Sequence, residues 1–107
     1  MIVEIRSYNL KPGTRARFQR VVDEQALPLL RKWKMDVVRA SPTLHEEESF
    51  VLIRAFASLA ARQAEEDAFY GSDEWKSGPR AEVLSLIENY SSVVLELSNE
   101  AVAALRA

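Results

Sequence analysis

At 107 residues the chain has the size of a single domain, and fourteen basic against sixteen acidic residues leave a net charge of -2, with no positive field to draw nucleic-acid phosphates. It has no cysteine, which excludes disulfides, thiolate catalysis and zinc-thiolate sites and suits a reducing cytoplasm. Glu4 and Arg6 interrupt the opening segment, and no window approaches the roughly 18 apolar residues of a membrane-spanning helix. The expectation is a cytoplasmic protein without membrane span or nucleic-acid partner. No repeat, low-complexity run or linker divides it, so residues 1–107 read as one domain.

Residues 2–9 alternate, with Val3 and Ile5 on one side and Ile2, Glu4, Arg6 and Tyr8 on the other, which predicts a strand. Lys11-Pro12-Gly13 makes a turn, and Thr14 is placed to cap a helix. Phe18, Val22, Ala26, Leu29 and Trp33 recur at helical spacing, and Pro28 inside this run predicts a kink or break. Residues 35–42 and 49–57 read as strands joined by a polar hairpin connection. A second helix starts at Ser58 and ends near Tyr70, before Gly71. Residues 72–75 suggest one short helical turn, and Pro79 opens another helix to about Asn89. Residues 91–97 predict the last strand, and Ser98 is placed to cap a final amphipathic turn bearing Val102 and Leu105.

The order β-α-β-β-α-β is the ferredoxin-like α+β plan, an antiparallel four-stranded sheet with helices on one face. The purely apolar set Val3, Ile5, Val51, Ile53 and Ala55 suits the helix-covered face. The opposite face would carry Ile2, Glu4, Arg6, Tyr8, Phe50, Leu52, Arg54 and Phe56. An exposed surface that apolar calls for a partner, and a second copy packing sheet to sheet is the simplest one. The charged residues would then be paired in or beside a cavity between the sheets.

Four segments carry a family resemblance: MIVEIRSYNLKPG at the start, LPLLRKW late in the first helix, LIRAFASLAARQ across the third strand and second helix, and AFYGSDEW before Pro79. With these the chain resembles the NIPSNAP family of the dimeric α/β barrel superfamily over essentially its whole length. The resemblance implies two ferredoxin-like subunits joined through their sheets, each with a pocket between sheet and helices. The wider superfamily includes cofactor-free monooxygenases, haem-degrading enzymes, isomerases and polyketide cyclases. Many relatives carry a His and a Trp in the third strand, where this chain has Leu52 and Arg54. Haem degraders of this fold use a His that has no counterpart between Trp75 and Arg80, so neither haem turnover nor any other cofactor is expected.

Glu4, Arg6, Tyr8 and Arg54 form the leading constellation, because the fold sets the first and third strands side by side. A guanidinium in a water-poor cavity can hold a carboxylate or enolate, with Glu4 as orienting partner or base; the alternative is a structural ion pair at the dimer interface, as such pairs also occur where no chemistry is done. Arg54, mid-strand between apolar neighbours, is expected to govern the function. Phe56, Phe69, Tyr70 and Trp75 are further pocket candidates; the last three also suit an aromatic core plug. His45 beside Glu46, Glu47 and Glu48 reads as a solvated acidic loop tip, so no metal site is expected. Two functions remain: a homodimer that binds an apolar, carboxylate-bearing organic molecule, or a cofactor-independent enzyme of monooxygenase, isomerase or cyclase type.

Overall fold

In the computed structural model, which describes residues 1–107, the alternating N-terminal segment forms strand β1 (Ile2–Leu10). The turn after it depends on Gly13, whose φ of +77° is unfavourable for a residue with a Cβ. Thr14 does not cap the next helix with its side chain; its hydroxyl donates to the Lys11 carbonyl at 2.6 Å and so tightens the turn.

The first helical run has three parts: α1 (Arg15–Val21), a π turn (Val22–Ala26) and α2 (Leu27–Lys32). The predicted break at Pro28 is replaced by this π turn, in which the Leu27 N–H reaches back to the Val22 carbonyl. The wider spiral absorbs a proline that in a regular helix would press on the Glu24 carbonyl, so the run continues. It closes at Trp33 with Lys34 left-handed at φ 59° and the Met35 N–H bonded back to the Leu30 carbonyl at 3.0 Å. Glycine usually fills the place Lys34 occupies.

Strands β2 (Asp36–Pro42) and β3 (Ser49–Phe56) pair as a hairpin. Helix α3 (Leu59–Tyr70) is capped by Ser58, which accepts from the Ala61 N–H at 3.0 Å, and α4 (Asp73–Ser77) is capped by Ser72 in the same way. Pro79 sits one place before α5 (Arg80–Leu86), which ends earlier than its sequence suggests. Residues 87–90 instead extend β4 (Ile87–Glu96), because Leu10, Asn9 and Tyr8 of β1 offer them ladder partners. Helix α6 (Asn99–Arg106) closes the chain, capped by Ser98.

The sheet order is β2-β3-β1-β4, antiparallel throughout, which is the expected ferredoxin-like α+β fold. The assignment of its two faces is the reverse of the sequence expectation. Helices α1 to α5 cover the mixed face: Phe18, Leu27, Leu30, Phe69 and Val83 pack on Ile2, Tyr8, Phe50, Leu52 and Phe56. Phe50 and Phe56 are therefore core residues and cannot form a subunit interface. The purely apolar face points outward. Its Val3, Ile53 and Ala55 are covered by Val38 and by Val102 of α6, while Val93 and Leu95 on β4 remain 55% and 46% exposed. The expectation failed because strand alternation cannot show that the helices bring their own charges to the mixed face.

Candidate functional site

Cross-strand register places Glu4 of β1 directly opposite Arg54 of β3. Above them, α3 supplies Arg62, Glu66 and Tyr70, four residues apart and so on one helix face. Glu4 is the hub. Its Oε1 accepts from Arg54 Nη2 at 2.5 Å and lies 3.2 Å from Arg6 Nη2, while its Oε2 accepts from Arg62 Nε at 2.8 Å and lies 2.6 Å from Arg62 Nη2. Both Glu4 and Arg54 are wholly buried. The Tyr70 hydroxyl accepts from Arg54 Nη1 at 2.8 Å and from Arg6 Nη1 at 3.2 Å. Arg6 also donates through Nε to Ser92 Oγ at 3.1 Å, and its guanidinium lies over the Tyr90 and Tyr70 rings at 4.8 and 5.6 Å.

Glu66 is held less well. Its Oε1 accepts from Arg6 Nη2 at 3.4 Å, and its buried Oε2 has no hydrogen bond. Arg62 Nε is 3.2 Å from that oxygen, but its single hydrogen is committed to Glu4. The two carboxyls therefore diverge. Burial disfavours ionised Glu4, yet a proton on neighbouring Glu66 and the Arg54 and Arg6 guanidiniums outweigh it and hold its pKa at about 2. Burial and the adjacent Glu4 push Glu66 up to about 7, against the pull of Arg54 and Arg62. Burial likewise takes Tyr8 up to about 12.

These opposite shifts set a pH dependence of stability. Between pH 4.5 and 7 the folded protein holds the Glu66 proton that the unfolded chain has released, so rising pH destabilises the fold by at most about 1.4 kcal/mol per unit. Below pH 4.5, towards 2, the unfolded chain takes up a proton that Glu4 refuses, so falling pH destabilises it. Glu66→Gln should flatten the upper limb alone, raising the melting temperature at pH 8 more than at pH 4.5. Equal shifts at both pH values would contradict this account.

Next to the cluster a pocket of about 590 Å³ opens between β1 and β4 on one side and α3, α4 and α5 on the other. That volume is ordinary for a small-molecule site. Arg6, Tyr8, Tyr70 and Trp75, all expected from the sequence, line it. Glu4 and Arg54 do not reach it; they stand behind Tyr70 and Arg62 and fix their positions. Phe56 and Phe69 do not line it either. Phe69 is buried at 5.4 Å from the Trp75 ring and 5.0 Å from Tyr70, backing the pocket wall. Sequence reasoning missed Arg62, Glu66 and Tyr90. The signal for the first two was present, since Arg62, Glu66 and Tyr70 repeat every four residues along an otherwise weakly amphipathic helix. His45 lies exposed on the hairpin loop, and no three His, Asp or Glu side chains converge to hold a metal.

The NIPSNAP family model matches residues 3–99. The chain belongs to the NIPSNAP family. Solved structures of that family share its fold. A NIPSNAP domain protein from Burkholderia xenovorans superposes with a TM-score of 0.83 at 18% identity, covering 92% of this chain and 96% of that one. A NIPSNAP family protein from Agrobacterium tumefaciens gives 0.85 at 17% identity, covering 95% and 90%. A Bordetella bronchiseptica protein named for antibiotic biosynthesis monooxygenases gives 0.72 at 19%, covering 91% and 96%. At these identities the likeness is one of fold, the antiparallel four-stranded α+β fold described above. No protein with a curated description matches the sequence. No helix of this NIPSNAP protein is long and apolar enough to cross a membrane.

Proposed function

We propose that this NIPSNAP protein is a homodimer that binds a small apolar organic molecule bearing a carboxylate, in the pocket between sheet and helices. The observation that carries the reading is a charge imbalance: the guanidiniums of Arg6, Arg54 and Arg62 converge on only two carboxylates, Glu4 and Glu66. Of the other charged residues that line the pocket, exposed Arg80 and Asp67 carry opposite charges, so the lining's excess positive charge comes from Arg6 and Arg62 against Glu66. The Nη1 group of Arg62 donates to no protein acceptor, leaving hydrogens free for an anion. Tyr8, Trp75, Val83 and Ile87 supply apolar lining for the rest of such a ligand. Tyr8, Tyr70, Trp75 and Val83 also wall an apolar void of about 30 Å³ behind the pocket, which gives the lining room to yield.

Isothermal titration with phenylacetate, octanoate and the corresponding amides tests the reading. The acids should bind and the amides should not, and Arg62→Met should remove binding because it takes away the free Nη1 group that would hold the anion. Equal binding of acids and amides would refute a carboxylate site. The homodimer rests on the exposed apolar pair Val93 and Leu95 of β4 and is tested separately.

A further inference from the structure

We propose that Glu66 is a proton acceptor for carbon acids in this pocket, and that its substrates are 2-oxo carboxylates with an apolar tail, which it converts between keto and enol forms. The proposal rests on the anion-binding reading above. Glu66 lines the pocket, its side chain is 12% exposed, and its one hydrogen bond is the long 3.4 Å contact that Oε1 accepts from Arg6, while Oε2 is buried against Arg62 and Arg54. Glu4, the other carboxylate, is saturated by three arginines and sealed from the pocket, so it cannot exchange protons with a ligand. One carboxylate is thus permanently ionised and structural, while the second is loosely held and faces the cavity.

The same wall can stabilise the charge that proton removal creates. A substrate carboxylate on Arg62 Nη1 would leave the adjacent 2-oxo oxygen near Arg6, which still has an uncommitted Nη1 hydrogen beside Tyr70. Glu66 takes a proton from C3. The C–H electron pair becomes the C2–C3 double bond, and the carbonyl pair moves onto oxygen as an enolate. The proton then passes to that oxygen, giving the enol, or back to C3, and Glu66 is again ionised. Nothing is oxidised or reduced, so the cycle needs no cofactor. The groups that face Glu66 are Glu4 and Arg6 from β1, Arg54 from β3, and Arg62 and Tyr70 from its own helix. Of the two carboxyls, the one that loses its proton near pH 7 is Glu66, so the reaction should quicken as pH rises through the neutral range.

The test uses phenylpyruvate in deuterium oxide, following loss of its methylene proton signal by NMR while binding is measured by titration calorimetry. Wild-type protein should bind phenylpyruvate and accelerate exchange roughly 100-fold or more over protein-free buffer. Glu66→Gln should bind at least as tightly, having lost an anion from an anion site, yet give no acceleration. Glu66→Asp should recover part of the rate, and the protein-dependent part of the rate should rise from pH 6 to 8 in the wild type and be absent in Glu66→Gln. Binding without acceleration, or full acceleration by Glu66→Gln, overturns the role of Glu66 and leaves the pocket reading standing. Failure to bind both phenylpyruvate and 2-oxooctanoate removes the pocket reading and this proposal with it.

Discussion

Glu4→Ala is expected to cost the fold about 3–5 kcal/mol, measured by urea denaturation at pH 7. Glu4 is wholly buried and is the acceptor that Arg6, Arg54 and Arg62 have in common. Without it three guanidiniums face one weakly held carboxylate, Glu66. Arg54 suffers most, since it has no exposed surface through which to regain water; its Nε already lacks a partner, and only the Tyr70 hydroxyl would remain at hydrogen-bond distance. For an isolated pair, replacing both members with apolar residues restores most of the loss. Here the double variant Glu4→Leu with Arg54→Met should recover only part of it, because Arg6 and Arg62 still point at the vacated place. A loss near that of an exposed ion pair, below about 1 kcal/mol, would show that the cluster is not the buried hub described above. Complete rescue by the double variant would show that Arg54 and Glu4 act alone.

The second large effect concerns association. Val93→Asp and Leu95→Asp should each convert the protein to monomer, as read by light scattering after size exclusion, with the circular dichroism spectrum unchanged. Both side chains project from β4 onto the outward face, beside Ile5 and Val3 of β1, and both are about half exposed in the single chain. A specific interface needs about 1,200 Å² of total burial or more, and this strip together with its polar rim is the apolar surface available for it. Phe50→Asp provides the contrast. Phe50 is 1% exposed and packs edge-on against Phe18 at 5.1 Å, so its replacement should unfold the chain rather than disperse it. A wild-type protein that is monomeric at micromolar concentration would defeat the dimer, and a folded Phe50→Asp monomer would restore the face assignment drawn from the sequence.

The strand and helix order was legible because each element carries its own period and its own stop signal. Residues 2–9 alternate, the last strand is rich in Val and Leu, Ser58, Ser72 and Ser98 precede their helices, and Gly13 marks the turn. Glu4 opposite Arg54 was legible too, since the ferredoxin-like order sets their strands side by side. The sidedness of the sheet was not. A row of Val, Ile and Ala looks more like core than a row containing two arginines and a glutamate. That comparison omits what the helices contribute, and here α3 contributes Arg62 and Glu66. Once these pair with Glu4, Arg6 and Arg54, the mixed face becomes the better-buried one. The site shifted for the same reason. Arg54 was marked by its apolar neighbours, but those neighbours seal it off, and the pocket-facing roles fall to Arg6 and Arg62. The helical boundary near Asn89 failed because residues 87–90 obey a long-range pairing to β1 that no local pattern records.

Helix α6 leaves the end of one edge strand, crosses the outward face, and is tied to the other edge by Arg106, which grips Asp36 of β2 through two bonds of 2.8 and 2.7 Å. Arg39 of β2 also donates to the Ala107 carbonyl at 3.1 Å. The helix therefore works as a kerb. Another sheet laid on this face is stopped where α6 covers Val3, Ile53 and Ala55, and finds open apolar surface at Val93 and Leu95 of β4. In a twofold assembly each subunit would present its kerb on opposite flanks, so the two sheets could meet only along one shared lane, offset rather than stacked in full. Lengthening or trimming the last two turns of the chain would move that stop, and with it the angle at which two copies settle, without touching a single residue of the pocket.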